Sequence, residues 1–117
     1  AGCPGVADPG SEVVRFAHEF GIKVVPLVGP SSILLAMMSS GMNGQNFAFN
    51  GYLPIDDPER AEAIKSLERL SSIKEQTQIF IETPYRNNKM LETLCKELHP
   101  TTRICVACDI TLDTEMI

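Results

Sequence analysis

Residues 45–84, QNFAFNGYLPIDDPERAEAIKSLERLSSIKEQTQIFIETP, decide the fold class of this chain. The aromatic side chains of Gln45–Gly51 predict a strand, and the apolar run Gln78–Glu82 predicts a second strand. Between them, Asp57 followed by Pro58 predicts the start of a helix, with Asp57 as its cap, that runs to about Ile73. The side chains expected to face inward from this helix are those of Ala61, Ile64, Leu67 and Leu70.

Upstream of this stretch, the sequence also predicts helices that alternate with a strand. The loop Gly2–Gly10 holds three Gly and two Pro in nine residues, and it leads to a helix that Ser11 caps and Gly21 ends. The β-branched, apolar segment Ile22–Val28 predicts a buried strand. After the break at Gly29-Pro30, Ser31 opens a short helix.

Downstream, Thr83-Pro84 repeats the combination of a capping residue and a proline and predicts another helix, which ends at Pro100. The residues expected to face inward from it are Met90, Leu91, Leu94, Cys95 and Leu98. Arg103–Asp109 then predicts a further strand. Strands that alternate with helices indicate an α/β fold with a mixed or largely parallel sheet flanked by helices.

Length and composition exclude several classes of protein. The chain has 117 residues, of which 44% are hydrophobic and 21% charged. These values exclude collagen-like, coiled-coil and intrinsically disordered chains. The longest apolar run, Ile33–Met38, is far shorter than the ~18 residues of a membrane-spanning helix. The chain begins at Ala1 and stops at Ile117 directly after a strand-like run, so we expect it to be a piece of a longer protein.

The charge balance bears on possible partners. Ten basic and fifteen acidic residues give a formal net charge of −5. This argues against nucleic-acid binding by this piece alone, because such affinity comes mostly from Lys and Arg on phosphates. A segment outside these 117 residues could supply the basic surface. The charged side chains of the helix after Pro58 are expected to form a solvated face: Glu59, Arg60, Glu62, Lys65, Glu68 and Arg69.

The cysteines favour free thiols over a metal or redox site. Cys105 and Cys108 form the only close pair, and Cys3 and Cys95 supply no second pair of metal ligands. A redox-active pair requires its first Cys at a helix start, whereas this pair lies in a predicted strand. Free thiols imply a reducing, cytoplasmic setting, and we predict no metal.

Three strand-to-helix turns could carry chemistry, since ligands of open α/β sheets bind beyond the carboxyl ends of strands. The first is the segment Ala1–Gly10, in which Gly allows close approach to a ligand. Asp8 could cap the next helix or accept a ligand hydroxyl. This segment is neither a P-loop nor a dinucleotide fingerprint, because the residues of both motifs are absent. An ordinary tight connection is the alternative.

The second turn is Gly29–Ile33, where two serine hydroxyls and the N–H groups of a helix start suit a carboxylate or phosphate. Simple helix capping by Ser31 is the alternative. The third turn is Glu82–Arg86. A carboxylate at the end of an apolar strand must be solvated or paired, so Glu82 either forms an ion pair with Arg86 or faces a ligand with it.

Five segments, in order, resemble the tetrapyrrole methylase family, and most closely its branch that methylates small-subunit ribosomal RNA. They are residues 1–10 (AGCPGVADPG), 25–30 (VPLVGP), 51–54 (GYLP), 80–86 (FIETPYR) and 107–111 (ACDIT). The resemblance covers nearly the whole chain.

This resemblance implies an S-adenosylmethionine-dependent methyltransferase of two α/β lobes, usually homodimeric, with the ligand between the lobes. It assigns residues 1–28 to the tail of the N-terminal lobe and residues 29–117 to the C-terminal lobe. The residues that match the family's cofactor site are Gly2, Cys3, Pro4, Val6, Ser31, Ser32, Ile33, Ile81, Glu82, Ala107 and Cys108.

The sequence departs from the family pattern at three places. Cys3 stands at the position of an Asp, Tyr85 stands where the ribosomal branch often has His, and Cys108-Asp109 stands where that branch has Arg-Glu. The methyl acceptor implied is ribosomal RNA or a tetrapyrrole. If the acceptor is a hydroxyl, a base is needed, and Glu82 and Asp8 are the local candidates. The alternative is a non-catalytic dimerisation or binding lobe with a decayed cofactor site.

Overall fold

The computed structural model describes residues 3–117. The chain forms two compact units. The first comprises the described residues up to Ser39 together with Ala107–Ile117, and the second is Ser40–Val106. Gly2, in the predicted cofactor set, lies outside the described residues. The assignment of residues 1–28 and 29–117 to two lobes stays a prediction.

The described residues form four α-helices and two strands. The helices are α1 (Ser11–Glu19), α2 (Ser32–Ser40), α3 (Asp57–Lys74) and α4 (Asn87–Glu97), and the strands are β1 (Phe47–Tyr52) and β2 (Thr77–Ile81). A 3-10 turn, Pro84–Arg86, leads into α4. No helix of this part of the chain is both long and apolar enough to cross a membrane.

The second unit contains a parallel pair of strands with a helix in the connection. In the register, Phe47 lies opposite Thr77 and Tyr52 opposite Ile81, with an irregularity between Phe49 and Tyr52. Gly51 lies in that irregularity with φ 65°, a conformation that favours glycine. The α/β class and the strand–helix–strand order read from residues 45–84 are confirmed.

The core of the second unit is a small apolar cluster with members from α3, α4, β2 and the residue that follows β1. Its buried members are Leu53, Ile64, Met90 and Leu94, with Leu67, Phe80 and Leu98 packed against them. Ile64 and Leu67 lie three apart on α3, and Met90 and Leu94 lie four apart on α4. Positions three and four apart share a face of a helix, so each helix presents its pair to the cluster. Leu70, Leu91 and Cys95 are exposed instead, so their predicted inward orientation is wrong.

Two helix caps differ from prediction by one residue. Asp56, not Asp57, caps α3, and its carboxylate accepts a hydrogen bond from the Glu59 N–H at 3.4 Å. At the start of α1, Gly10 takes the cap position with φ 133°, and Ser11 is already helical. Asp57 and Ser11 are therefore first-turn residues, because the chain enters each helix one residue earlier than the sequence signal indicates.

Gly21 ends α1 as predicted. The Gly21 N–H donates to the His18 carbonyl at 3.1 Å, and the Ile22 N–H donates to the Ala17 carbonyl at 2.8 Å. These two hydrogen bonds form a Schellman motif, and Gly21 has the left-handed conformation, φ 65°, that the motif requires.

The predicted strands Ile22–Val28 and Arg103–Asp109 are wrong. Neither segment joins a ladder in residues 3–117, and Cys108 forms only an isolated bridge with Met116. Leu27 and Val28 are exposed. β-branched composition creates a preference for a strand, but a strand requires a ladder of hydrogen bonds to a neighbouring strand, and residues 3–117 supply no such ladder to either segment.

Candidate functional site

The carboxyl ends of β1 and β2 meet at one edge of the second unit. Tyr52 is the last residue of β1 and lies opposite Ile81, the last residue of β2. The turn that follows β2 carries the polar residues of the third predicted site. We call this set the β-edge cluster, and its residues are Tyr52, Glu82, Thr83, Tyr85 and Arg86.

The Glu82 carboxylate is held inside the β-edge cluster. The Glu82 side chain is 9% exposed and lies 3.6 Å from the Arg86 Nε through Oε1. The same oxygen accepts a hydrogen bond from the Thr83 backbone N–H at 2.7 Å. A buried charge requires a partner and hydrogen bonds, and Glu82 has both. The ion-pair alternative for Glu82 and Arg86 is thus confirmed.

Arg86 also holds Tyr85. Its Nη2 donates to the Tyr85 hydroxyl at 3.0 Å, and its guanidinium carbon lies 5.1 Å from the centre of the Tyr85 ring. The hydrogen bond from Arg86, followed by one with Thr83, lowers the pKa of the Tyr85 phenol. The same contact with Tyr85 is the main cause that raises the pKa of Arg86.

Backbone hydrogen bonds within the N-terminal loop hold its described residues, 3–10, in a tight turn. Cys3 and Val6 exchange backbone hydrogen bonds of 3.2 and 2.8 Å, and the Gly5 N–H donates to the Pro9 carbonyl at 3.1 Å. A Cβ added at Gly10 would lie 3.2 Å from the Gly5 nitrogen, so this position requires glycine. Cys3 is half-buried, whereas Pro4 and Val6 are exposed and so is Asp8.

The segment Ser31–Ile33 forms the N-terminus of α2. The Ser31 carbonyl accepts the Leu35 N–H at 2.9 Å, so Ser31 directly precedes the helix, and it is buried together with Ile33. No acidic residue lies in the first turn of α2. The N–H groups at this helix start therefore suit an anionic group.

The remaining predicted cofactor residues lie in both units. Ala107 and Cys108 are half-buried in the first unit, and Cys108 exchanges backbone hydrogen bonds of 2.8 and 3.0 Å with Met116. Ile81 and Glu82 belong to the second unit. The N-terminal loop, the start of α2 and the Ala107-Cys108 segment thus share one unit, and the end of β2 lies in the other.

The cysteines and acidic residues form no metal-binding group in the part of the chain that the structure describes. All four cysteines are free thiols. Cys105 and Cys108 are both half-buried, and Cys95 is exposed on α4.

Sequence reasoning missed a buried cation. Arg60 was predicted on a solvated helix face, but it is 5% exposed and anchors polar contacts between α3 and α4. Its Nη1 donates to the Ile55 carbonyl at 2.7 Å, and its Nη2 pairs with the Asp57 carboxylate. Arg60 is the main cause that lowers the pKa of Asp57. The sequence signal that could have indicated this is the three-residue spacing of Asp57 and Arg60.

Curated relatives match the chain over nearly its whole length. It is 36% identical to ribosomal RNA small subunit methyltransferase I of Neisseria meningitidis serogroup A over 95% of this chain and 36% of that protein. The protein of the same name from Vibrio cholerae serotype O1 is 32% identical over 100% of this chain and 39% of its own length. The Escherichia coli O157:H7 protein of this name is 33% identical over 100% of this chain and 40% of its own.

These relatives confirm the resemblance read from the five sequence segments. The chain spans about two fifths of the length of the relatives it matches. No protein-family model matches the chain.

Proposed function

We propose that this chain is part of an S-adenosylmethionine-dependent methyltransferase that modifies the RNA of the small ribosomal subunit. The observation that carries the proposal is 32–36% identity, over 95–100% of the chain, to proteins named ribosomal RNA small subunit methyltransferase I. A tetrapyrrole acceptor has no such support among these relatives. The alternative of a non-catalytic lobe is not favoured, because these relatives are named as methyltransferases.

The start of α2 supports a cofactor site for S-adenosylmethionine. The methionine part of this cofactor carries a carboxylate, and the N–H groups at the start of a helix bind anions. The backbone N–H groups at Ser31, Ser32 and Ile33 would hold that carboxylate, so the start of α2 fits this group. The family resemblance adds to the proposed site the residues Gly2, Cys3, Pro4, Val6, Ile81, Glu82, Ala107 and Cys108.

The main task of the protein in methyl transfer is to position the methyl donor and the acceptor. When bound, the cofactor supplies a methyl group already activated as a sulfonium. The residues of the chain would align donor and acceptor and exclude water. If the acceptor is a hydroxyl, a base must take its proton. Glu82, which forms an ion pair with Arg86, and Asp8 remain the candidates.

Two further properties follow from the resemblance and complete the proposal. The full protein is a homodimer, and it works in the cytoplasm, where free thiols such as those of Cys105 and Cys108 stay reduced. Sedimentation of the full-length protein tests the first property.

A thermal melt of the full-length protein with and without S-adenosylhomocysteine tests the cofactor site. Ligand at 100 times its Kd stabilises the folded state by ~2.7 kcal/mol, which raises Tm by several degrees. Transfer of a labelled methyl group to small ribosomal subunits then tests the acceptor. No Tm shift at millimolar ligand, or no labelled RNA, contradicts the corresponding half of the proposal.

A pair of variants locates the site. Ser32→Asp places a negative charge at the start of α2, where it favours the helix but repels a bound carboxylate. Ser11→Asp makes the same change at the start of α1, which the proposal leaves outside the site. We expect Ser32→Asp to abolish the Tm shift with S-adenosylhomocysteine and Ser11→Asp to retain it. Equal shifts in both variants would remove the start of α2 from the site.

A further inference from the structure

Tyr85 presents an aromatic ring to solvent at the β-edge cluster. The residue is 80% exposed. The Arg86 guanidinium lies over the ring, 5.1 Å from its centre, and bonds to its hydroxyl. One face of the ring is therefore covered by a cation, and the remaining ring surface is available for a flat partner.

The ring is held in place before any partner arrives. Arg86 donates from Nε to the Thr83 hydroxyl at 3.1 Å and pairs with the Glu82 carboxylate at 3.6 Å. Tyr85 itself lies in the 3-10 turn that begins at Pro84. A side chain that is already ordered loses less conformational entropy on binding, so these contacts suit a binding surface.

The chemistry of the surface favours a nucleobase. Aromatic rings bind unpaired bases by stacking, and an adjacent guanidinium adds cation–π attraction. Tyr52, a second exposed aromatic residue, lies in the same cluster. The net charge of −5 gives these 117 residues little attraction for phosphates as a whole, so a contact between this part of the protein and RNA depends on interactions such as stacking.

We infer that Tyr85 stacks against an unpaired base of the RNA substrate, on the ring face opposite Arg86. This inference rests on the proposed function, and it adds a residue that touches the acceptor RNA. Arg86 and Glu82 act as positioning residues for the ring. The hydroxyl of Tyr85 accepts a hydrogen bond from Arg86 and takes no part in stacking.

The test compares RNA binding by full-length variants. The probe is a fluorescent single-stranded oligoadenylate of about 16 nucleotides, a length matched to common binding sites, and a second probe of equal length lacks the bases. One stacked base contributes about 1–3 kcal/mol. We therefore expect Tyr85→Ala to raise Kd for oligoadenylate about 5- to 150-fold. Tyr85→Phe keeps the ring, and we expect its Kd within about twofold of wild type.

Two controls separate stacking from other roles. Phe20→Ala removes an aromatic side chain of similar exposure, 77%, outside the β-edge cluster, and we expect it to leave Kd unchanged. The abasic probe should bind wild type and Tyr85→Ala equally. Loss of affinity for the abasic probe in Tyr85→Ala, or equal losses in Tyr85→Phe and Tyr85→Ala, would overturn the inference.

Unchanged oligoadenylate affinity in Tyr85→Ala overturns the inference, and so does a lack of binding by wild type, because stacking tolerates any base sequence. The response of each variant to S-adenosylhomocysteine distinguishes this failure from failure of the proposed function. If wild type and Tyr85→Ala both show the Tm shift and only the RNA result is negative, the proposed function stands. If wild type shows neither the shift nor methyl transfer, the proposed function itself is wrong.

Discussion

The Arg60 Nε donates a hydrogen bond to the Thr93 hydroxyl at 3.1 Å, which ties the first turn of α3 to the middle of α4. Thr93 in turn donates to the Lys89 carbonyl at 2.9 Å. Lys89 and Arg60 both pair with the Asp57 carboxylate. The hydrogen bond between Arg60 and Thr93 joins α3 to α4 by a polar contact. The apolar cluster of Ile64, Met90 and Leu94 joins the same two helices by hydrophobic packing.

Arg60→Ala should destabilise the chain by about 2–3 kcal/mol. The substitution removes a buried cation with three hydrogen-bonding partners, and hydrogen bonds to charged groups contribute about 1.5–3 kcal/mol. Urea denaturation measures the change. Arg69→Ala, on the exposed face of the same helix, should stay within about 0.5 kcal/mol of wild type. Equal losses for both variants would show that the Arg60 contacts contribute nothing specific.

Ile64→Ala should lower the free energy of unfolding by about 2–5 kcal/mol. Ile64 is 2% exposed at the centre of the apolar cluster, and truncation of a core Ile leaves a cavity. Ile73→Ala, at an exposed position of the same helix, serves as the control and should change stability little. A small effect of Ile64→Ala in urea denaturation would mean that the cluster is not the core of the unit.

Gly21→Ala should destabilise the chain by about 1 kcal/mol. Gly21 has φ 65° in the Schellman motif at the end of α1, and a Cβ in this conformation is strained. Gly44→Ala is the matched control, because a Cβ there meets open space and the backbone is not in the left-handed region. If thermal melts show no difference between the two variants, the motif does not constrain the chain.

Glu68 should make stability depend on acid pH. Hydrogen bonds from the Thr102 hydroxyl and the His99 N–H lower the pKa of this carboxyl in the folded state. A lowered folded pKa gives stability that is fully present above the unfolded value, about 4.3, and is lost as pH falls through the folded value.

The variant Glu68→Gln removes this titration and keeps the shape of the side chain. We expect it to lower stability near neutral pH and to lose less stability than wild type when the pH falls below about 4. Urea denaturation at several pH values provides the comparison. Parallel stability curves for the two proteins would exclude Glu68 as a source of the acid sensitivity.

Local signals in the sequence were enough for part of the fold. The strand–helix–strand order of residues 45–84 follows from the spacing of the apolar residues and from the helix-start signal Asp57-Pro58. Both signals depend only on residues close together in the chain. The Schellman end at Gly21 also depends on one glycine and its own helix. The ion pair of Glu82 with Arg86 could be expected for the same reason, since the two residues lie four apart.

The candidate site divides in the same way. The sequence predicted the start of α2 and the turn after β2 as candidate sites, because each begins a helix and is recognised from a few neighbouring residues. It did not indicate that Tyr85 is exposed with Arg86 over its ring, since that arrangement depends on how the turn after β2 folds. Nor did it place Arg60 between two helices, because Thr93 is 33 residues away along the chain.

The sequence by itself determined the α/β class, the central helix α3 with its flanking strands, and the similarity to ribosomal RNA methyltransferases. The tertiary structure decided which segments became strands, since Ile22–Val28 and Arg103–Asp109 have the composition of strands but no neighbour in a ladder among residues 3–117. It also decided which charges are buried. The physical reason is the same in both cases: strand pairing and burial depend on contacts between residues far apart in the chain, whereas helix periodicity and capping depend on residues a few positions apart.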